Sequence, residues 1–152
     1  EFHYPDSIEL RSYKPTVEGH PKQIEKAVSL MLEAKKPVIY VGGGVISGDA
    51  AGELYDFAKK LNMPVTTTLM GLGSFPEDDH QALRLLGMHG TYYANMAVTN
   101  CDMLFAVGAR FDDRVTGKVA TFAPHAKIIH VDVAPTSIRQ NVRVDLPIVG
   151  EV

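Results

Sequence analysis

Short apolar runs that end in glycine place the strongest constraint on the fold of this chain. Pro37–Val41 leads into Gly42-Gly43-Gly44, and Met103–Val107 leads into Gly108. Such continuous apolar runs are typical of strands buried on both faces of a parallel sheet. Helical patterns alternate with them, which indicates βαβ units with right-handed crossovers. We therefore expect an α/β fold: a doubly wound, mostly parallel, Rossmann-like sheet flanked by helices.

The pattern also predicts where the elements lie along the chain. Helices are expected over 21–34, 49–61 and 91–99, with Pro21 in a first turn and Asp49 as an N-terminal cap. Strands are expected over 37–41, 63–70, 102–107, 127–133 and 146–149, a loop over 71–90, and a short helix opening over 134–137. Residues 1–20 have no periodicity and are interpreted as a linker or arm from a preceding domain. We expect 21–152 to be one folded domain of a longer protein.

Composition and charge exclude several classes of function. The length of 152 residues suits one domain, and a net charge of -3 gives no reason to expect nucleic acid or an anionic membrane as partner. No apolar stretch approaches the roughly 20 residues of a membrane span, and a signal peptide is not recognisable. Cys101 is the single cysteine, and the absence of a possible internal disulfide favours a reducing, cytoplasmic location. Cys101 itself is interpreted as a small packed residue rather than a nucleophile.

A charged cluster follows the second of these apolar runs. Gly108-Ala109-Arg110-Phe111-Asp112-Asp113-Arg114-Val115 comes directly after 103–107, and ligands of open α/β sheets bind beyond the carboxyl ends of strands. Arg110 would make a forked contact to a phosphate, and Asp132 at the end of a later strand would accept from ribose hydroxyls. The competing interpretations are a solvated loop with internal salt bridges for the cluster and, for Asp132, an aspartate beside the core that only caps a helix.

The glycine-rich turn after the first strand is a candidate phosphate site that lacks the dinucleotide fingerprint. That fingerprint would need glycines at 42, 44 and 47, but position 47 is Ser47. The second strand also ends in threonines and Met70 rather than in the acid that holds the ribose of NAD. An NAD-dependent oxidoreductase is therefore disfavoured. A tight turn without ligand, or a turn that a ligand approaches closely, remains open.

Two loops that combine methionine with glycine suggest a flat ring as ligand. Leu69-Met70-Gly71 stands where the predicted strand 63–70 gives way to the predicted loop, and Leu86-Gly87-Met88-His89-Gly90 falls within that loop. Methionine offers an adaptable, polarisable surface, and backbone groups beside glycine can reach the polar edges of a ring. No metal site is expected, because the histidines lack ligand spacing and accompanying Cys or Glu.

Taken together, five segments resemble the central domain of one family, the acetolactate synthase (acetohydroxyacid synthase) large catalytic subunits. These segments are Tyr40-Val-Gly-Gly-Gly, Thr68-Leu-Met-Gly-Leu-Gly, Leu86-Gly-Met-His-Gly, Gly108-Ala-Arg-Phe-Asp-Asp-Arg-Val-Thr-Gly-Lys and Ile129-His-Val-Asp. The opening Leu10-Arg-Ser-Tyr-Lys-Pro-Thr and the closing Leu146-Pro-Ile-Val-Gly are also similar. The resemblance covers nearly the whole chain.

The resemblance implies a thiamine-diphosphate enzyme of three domains, of which this is the middle one. Its central domain, here 21–152, would bind FAD, which takes no net redox part in the main reaction. Thiamine diphosphate and Mg²⁺ would be held by the other domains, across a homodimer interface. The full enzyme condenses pyruvate with a second 2-oxo acid, pyruvate or 2-oxobutyrate, in branched-chain amino-acid biosynthesis. A small regulatory subunit is a further implied partner.

Residue by residue, the resemblance assigns a cofactor site and part of a substrate channel. The channel positions are Met88, Asp113 and Arg114. The FAD positions are Gly42, Gly43, Gly44, Thr68, Leu69, Met70, Leu86, Gly87, Met88, His89, Gly108, Ala109, Arg110, Asp112, Arg114, Val115, Asp132 and Val133. Catalytic and metal residues are expected to lie outside this sequence, so the chain alone is expected to be inactive.

One position departs from the family pattern, and one alternative function stays open. Leu83-Arg84-Leu85 stands where the family reads Leu-Gly-Met, so a positive φ at this position would be unfavourable for Arg84. The alternative is a purely structural spacer and dimer-contact domain that binds no nucleotide in isolation.

Overall fold

The computed structural model describes residue 3 and residues 16–152 of the chain. The strands are β1 (Pro37–Val41), β2 (Val65–Thr67), β3 (Ala82–Leu85), β4 (Met103–Val107), β5 (Lys127–Asp132) and β6 (Leu146–Val149). The α-helices are α1 (Pro21–Glu33), α2 (Gly43–Ser47), α3 (Ala51–Leu61), α4 (Tyr92–Asn100) and α5 (Asp113–Thr116). Single 3-10 turns lie at Leu69–Gly71 and Val119–Thr121. The predicted arm over 1–20 and the similarity at 10–16 fall largely outside the described residues.

The six strands form one sheet in the order β3-β2-β1-β4-β5-β6. All five pairings are parallel, so the predicted doubly wound, Rossmann-like sheet is confirmed. The chain leaves β1 toward β2 and returns to place β4 on the other side of β1, which makes β1 and β4 the topological switch point. Ligands of open α/β sheets bind beyond this point, at the carboxyl edge.

Apolar side chains cover the sheet on both faces. On one face, α1 and α3 pack Ala27, Met31, Leu54 and Ala58 against the strands. On the other face, α4 and the segment after β4 contribute a second cluster, with Ala94, Val98 and Phe111 among its buried members. The alternation along each strand follows from the period of two, which sends successive side chains to opposite faces. The double coverage explains why β1, β4 and β5 are nearly continuous apolar runs.

Two local expectations at helix starts are wrong. The predicted helix over 49–61 begins at Ala51, and Ala50 occupies its N-cap without a side-chain hydrogen bond. Asp49 has φ 53° and links this helix to the separate short helix α2, so it does not cap. The helix expected to open at 134–137 is a series of turns, because the Asp132 carboxylate accepts from the Ala134 N–H at 2.8 Å and holds a tight turn there.

The predicted loop over 71–90 contains the edge strand β3, and the predicted strand over 63–70 is shorter than expected. Specific polar contacts hold this edge. The Gln81 side chain donates to the carbonyl oxygens of Ala58 and Met63 at 3.0 and 2.8 Å. Thr91 uses its hydroxyl to donate to Leu83 O at 2.8 Å and its N–H to donate to Leu85 O. Long-range contacts of this kind leave no periodic signal in the sequence of the strand itself.

The amino ends of the central strands are tied together by Asp102. Its two carboxylate oxygens accept from the N–H groups of Lys35 and Lys36 at 2.8 and 2.9 Å. Its own N–H donates to Lys36 O, and its carbonyl accepts from Lys127 N. Asp102 therefore fixes β1, β4 and β5 at the edge opposite to the carboxyl ends. Among the described residues, no helix has the length and apolar character needed to cross a membrane.

Candidate functional site

A cavity of about 640 Å³ lies beyond the carboxyl ends of β1 to β4. Four segments meet there, one following each of these strands, and each contains residues that the sequence had singled out. Its lining consists of Gly42, Gly43, Gly44, Thr68, Leu69, Met70, Leu85, Leu86, His89, Gly108, Ala109, Arg110, Asp112, Arg114 and Val115. The volume lies within the range typical of small-molecule sites, about 300–1,000 Å³.

The turns after β1 and β4 pack backbone against backbone at the inner wall. A Cβ added to Gly42 would lie 2.1 Å from the Gly108 carbonyl oxygen, and one added to Gly44 would lie 2.6 Å from the Gly108 Cα. The Gly44 N–H donates to Gly108 O at 3.0 Å. Glycine at positions 42 and 44 is therefore required by the neighbouring turn itself. The approach of a ligand is not needed to explain it.

A buried histidine supports the turn that follows β4. The His130 side chain is fully buried, and its Nε2 lies 2.8 Å from the Ala109 carbonyl oxygen. The Phe111 ring meets the imidazole edge-on, with ring centroids 5.0 Å apart. Burial lowers the pKa of His130, although the Ala109 carbonyl and Asp132 act in the opposite direction. The imidazole is therefore neutral at pH 7.

Asp112 caps the short helix α5 and leaves the two arginines of the cluster without carboxylate partners. Its carboxylate accepts from the Arg114 N–H at 3.0 Å, and its carbonyl accepts from Thr116 N. Among the described residues, neither Arg110 nor Arg114 forms a salt bridge. The interpretation of this cluster as a loop closed by internal salt bridges is therefore wrong. The cavity wall instead carries two exposed guanidinium groups that can meet an anion.

The loop after β3 docks onto the same helix through its backbone. Gly87 has φ 102°, and a Cβ there would lie 2.6 Å from the Arg114 carbonyl oxygen. The next N–H, that of Met88, donates to this same oxygen at 2.9 Å. The Asn95 amide holds the loop from the other side by donating to Gly87 O at 3.1 Å. These contacts bring Met88 and Arg114, both predicted for a substrate channel, next to each other at the surface.

Five predicted site residues do not line the main cavity. Gly87 is buried outside the cavity lining, and Met88, 66% exposed, is not part of that lining either. Asp113 lines a separate cavity of about 460 Å³ with Thr116 and Asn141. Asp132 is buried, and its carboxylate is occupied with the turn at Ala134. Val133 is exposed outside the cavity lining.

Two residues of the site were missed from the sequence. Leu85 lines the cavity from β3, which lay inside a predicted loop. His130 supports the cavity wall from β5, although its ring does not line it. The signal for His130 was present: it is the one polar side chain in the apolar run Ile128-Ile129-His130-Val131.

Comparison with known proteins decides the family. The model of the family "Thiamine pyrophosphate enzyme, central domain" matches residues 24–152. The chain belongs to this family. The resemblance that the sequence motifs indicate is therefore confirmed, and the six-stranded parallel sheet is the fold expected of such a central domain.

Relatives of this central domain carry the name that the motifs suggest. It is 54% identical over 150 residues to the acetolactate synthase large subunit of Buchnera aphidicola subsp. Schizaphis graminum (strain Sg), covering 99% of this chain and 26% of the relative. It is 51% identical over 148 residues to the acetolactate synthase isozyme 3 large subunit of Escherichia coli (strain K12), covering 97% and 26%. A probable acetolactate synthase large subunit of Methanocaldococcus jannaschii is 55% identical over 147 residues, with 97% and 25% covered. The chain thus spans about a quarter of the length of these curated relatives.

Proposed function

We propose that residues 21–152 form the FAD-binding central domain of an acetolactate synthase large subunit. The flavin nucleotide would occupy the cavity at the carboxyl edge of the sheet. The observation that carries this proposal is the composition of that cavity: apolar walls stand beside two guanidinium groups that form no salt bridge with any described residue. A flat apolar ring joined to a diphosphate has the complementary chemistry.

The apolar part of the lining suits the ring of a flavin. Leu69, Met70, Leu86 and Val115 line the cavity, and Leu69 and Met70 are 69% and 74% exposed. Exposed side chains of this size stay in contact with water unless a ligand or another part of the protein covers them. Covering them with an aromatic ring is favourable by about 25 cal/mol per Å² of apolar area removed from water.

The polar part of the lining suits a phosphate. Arg110 and Arg114 are exposed at the rim, and guanidinium groups bind phosphate oxygens in pairs of parallel hydrogen bonds. Asp132 is buried, and its carboxylate accepts a hydrogen bond from the Ala134 N–H. It would contact the adenosine end of the cofactor by sharing this carboxylate between the turn and the ligand.

For the whole protein we propose condensation of pyruvate with pyruvate or 2-oxobutyrate, in branched-chain amino-acid biosynthesis. Thiamine diphosphate, with Mg²⁺, supplies the chemistry of decarboxylation and carbon–carbon bond formation when bound by the other domains. In this chain, Arg114 would attract the carboxylate of the incoming 2-oxo acid. Met88, joined to Arg114 through the backbone, would form an apolar side of the channel, and Asp113 its outer rim. A homodimer partner and a small regulatory subunit complete the proposed assembly.

A flavin titration of the purified 152-residue chain tests the cofactor proposal. We expect added FAD to be retained after removal of excess and to show the absorption spectrum of bound flavin, whereas NAD is not retained. Acetolactate formation is expected to be absent, and measurable turnover by the chain alone would contradict that part. A colourless chain after equilibration with FAD would overturn cofactor binding by this domain.

The second candidate function is that of a structural spacer and dimer contact without nucleotide. It is favoured by one observation: the packing of the turns after β1 and β4 accounts for Gly42 and Gly44 with no ligand. The same titration separates the two candidates. A spacer predicts no effect of FAD on thermal unfolding, while a bound cofactor raises the unfolding temperature with the logarithm of its concentration once that concentration exceeds its Kd.

A further inference from the structure

His130 is a fully buried polar side chain of the core, and such burial is unfavourable unless its polar atoms have partners. It lies on β5, between β4 and the edge strand β6, level with Ala106 of β4 and Tyr40 of β1, and is fully buried. Because the Ala109 carbonyl can only accept, Nε2 must carry the proton of the neutral ring. Nδ1 then has a lone pair with no hydrogen-bond donor among the described residues. A leucine or valine at this position would avoid that unfavourable burial.

The contact with Ala109 fixes one peptide group of the cavity wall. No peptide bond between described residues is cis, so the carbonyl and N–H of the Ala109–Arg110 peptide point in opposite directions. With the Ala109 oxygen directed at His130 in the core, the Arg110 N–H is directed away from the core. Arg110 lines the cavity. This N–H donates to no other described residue.

The preceding peptide groups are held by the backbone alone. The Gly108 N–H donates to Val131 O at 2.9 Å, and the Gly108 carbonyl accepts from the Gly44 N–H at 3.0 Å. Gly108 itself has φ 57°, which turns the chain away from the direction of β4. Beyond this point the ladder of strand hydrogen bonds ends. The next peptide, between Ala109 and Arg110, is fixed by the imidazole of His130.

We propose that His130 is a positioning residue for the cofactor site. By holding the Ala109 carbonyl, it orients the Arg110 backbone N–H as a fixed donor to an acceptor oxygen of the flavin nucleotide. The inference rests on the proposed binding of FAD in this cavity. It explains why an imidazole, and not an apolar side chain, lies at this point of β5. A donor that is oriented before the ligand arrives strengthens binding, because less conformational entropy is lost when the complex forms.

Three variants of the 152-residue chain test this role. His130→Gln keeps an N–H donor at about the reach of Nε2, whereas His130→Leu keeps the volume and removes the donor. Ile128→Ala is the matched structural control, since it opens a cavity in the same strand at the end away from Ala109. Each variant is measured for FAD affinity by fluorescence titration, for stability by urea unfolding, and for amide chemical shifts by NMR.

The expected pattern separates positioning from support of the fold. His130→Leu should weaken FAD binding about tenfold, the effect of one well-placed hydrogen bond, while His130→Gln stays within about threefold of the unmodified chain. Ile128→Ala should lose stability with unchanged affinity. FAD should shift the Arg110 amide resonance of the unmodified chain, and His130→Leu should displace that resonance even without FAD.

Each contrary result has a distinct meaning. Unchanged affinity of a folded His130→Leu chain would overturn the inference and leave the proposed cofactor intact. Equal losses in both His130 variants would also overturn it, because a donor at this position would then make no difference. If the unmodified chain retains no FAD, the proposed cofactor and its donor role both fail. The Arg110 resonance in His130→Leu then decides whether the imidazole orients this peptide at all.

Discussion

The Thr66 hydroxyl donates a hydrogen bond to the backbone carbonyl of Arg84 at 2.8 Å. This contact joins β2 to the edge strand β3 at the point where their register shifts, between Val65 and Thr66. Arg84 there has φ 62°, in the left-handed region that favours glycine. The backbone at this position thus has the positive φ that glycine, the residue of the family pattern, adopts more easily than arginine. Residue 84 stores backbone strain within the sheet.

We expect Arg84→Gly to stabilise the chain. Relief of the left-handed conformation raises the free energy of unfolding by about 1–2 kcal/mol. The greater conformational freedom of glycine in the unfolded chain lowers it by about 0.5–1 kcal/mol. The free energy of unfolding, measured by urea denaturation, should therefore rise by up to about 1.5 kcal/mol. Arg84→Ala is the control, because it removes the exposed side chain and keeps the strain. A loss of stability in the glycine variant would show that the guanidinium, rather than φ, governs this position.

A pair of glycine substitutions tests the close packing of the turns at the switch point. Gly42→Ala places a Cβ 2.1 Å from the Gly108 oxygen, so the turns after β1 and β4 must separate. We expect a loss of at least about 3 kcal/mol in the free energy of unfolding. Gly52→Ala, on the open side of α3 with nothing within 4 Å, should instead gain about 0.5–1 kcal/mol.

Thermal unfolding followed by circular dichroism distinguishes these two variants without any ligand. Since both replace glycine by alanine, composition and side-chain polarity change equally. A Gly42→Ala chain as stable as the unmodified one would mean that the two turns move apart freely. In that case, the inner wall of the cavity would not be rigid, and its shape could not be taken from the free chain.

The central fold followed from the sequence because its signals are local. Apolar runs at 37–41 and 103–107 are long enough to be read as buried strands, and α1 and α4 show helical spacing within one or two residues of their observed bounds. Parallel pairing then brings the carboxyl ends of the strands to one edge. The convergence of Gly42, Thr68 and Arg110 on a single cavity is a consequence of that topology.

What the sequence could not give depends on contacts between distant residues. β3 exists because Gln81, Thr66 and Thr91 hold an edge with weak strand propensity, and none of these contacts has a sequence period. Asp49 resembles a helix cap in the sequence, but in the structure it has a positive φ and lies before the N-cap residue Ala50. His130 stands out as a polar residue in its apolar run, but the run gives no sign of the group that the imidazole contacts. Its partner, Ala109, lies 21 residues earlier in the chain.

Acid should weaken the chain partly through Asp102. Burial alone would raise the pKa of this carboxyl, but hydrogen bonds from the Lys35 and Lys36 N–H groups outweigh it and lower the pKa. A lowered folded-state pKa means that the stabilisation is present above the unfolded value and is lost as the pH falls through the folded value. The unmodified chain should therefore lose stability progressively below about pH 4.

Asp102→Asn isolates this contribution. We expect a loss of about 1 kcal/mol at pH 7, because an amide replaces one of the two acceptors with a donor, and a flatter dependence of stability on pH below about 4. Asp79, whose pKa the hydrogen bond from Lys59 lowers, continues to contribute in this variant. Asp78→Asn is the control, because Asp78 is an exposed residue that directly precedes Asp79 in the chain. Identical acid profiles for Asp102→Asn and the unmodified chain would exclude a role for these hydrogen bonds.

The charge of Arg110 should govern cofactor affinity if the cavity holds a diphosphate. Arg110→Gln keeps the backbone donor and a polar side chain but removes the guanidinium, so FAD affinity should fall about tenfold at low salt. The difference from the unmodified chain should shrink as salt is added, since exposed charges are screened. Arg143→Gln makes the same charge change on a side chain that is 91% exposed and pairs with Asp145 outside the cavity. Fluorescence titrations with FAD at two salt concentrations compare the two variants. Equal losses of FAD affinity in Arg110→Gln and Arg143→Gln would mean that the net charge, and not the Arg110 site, attracts the nucleotide.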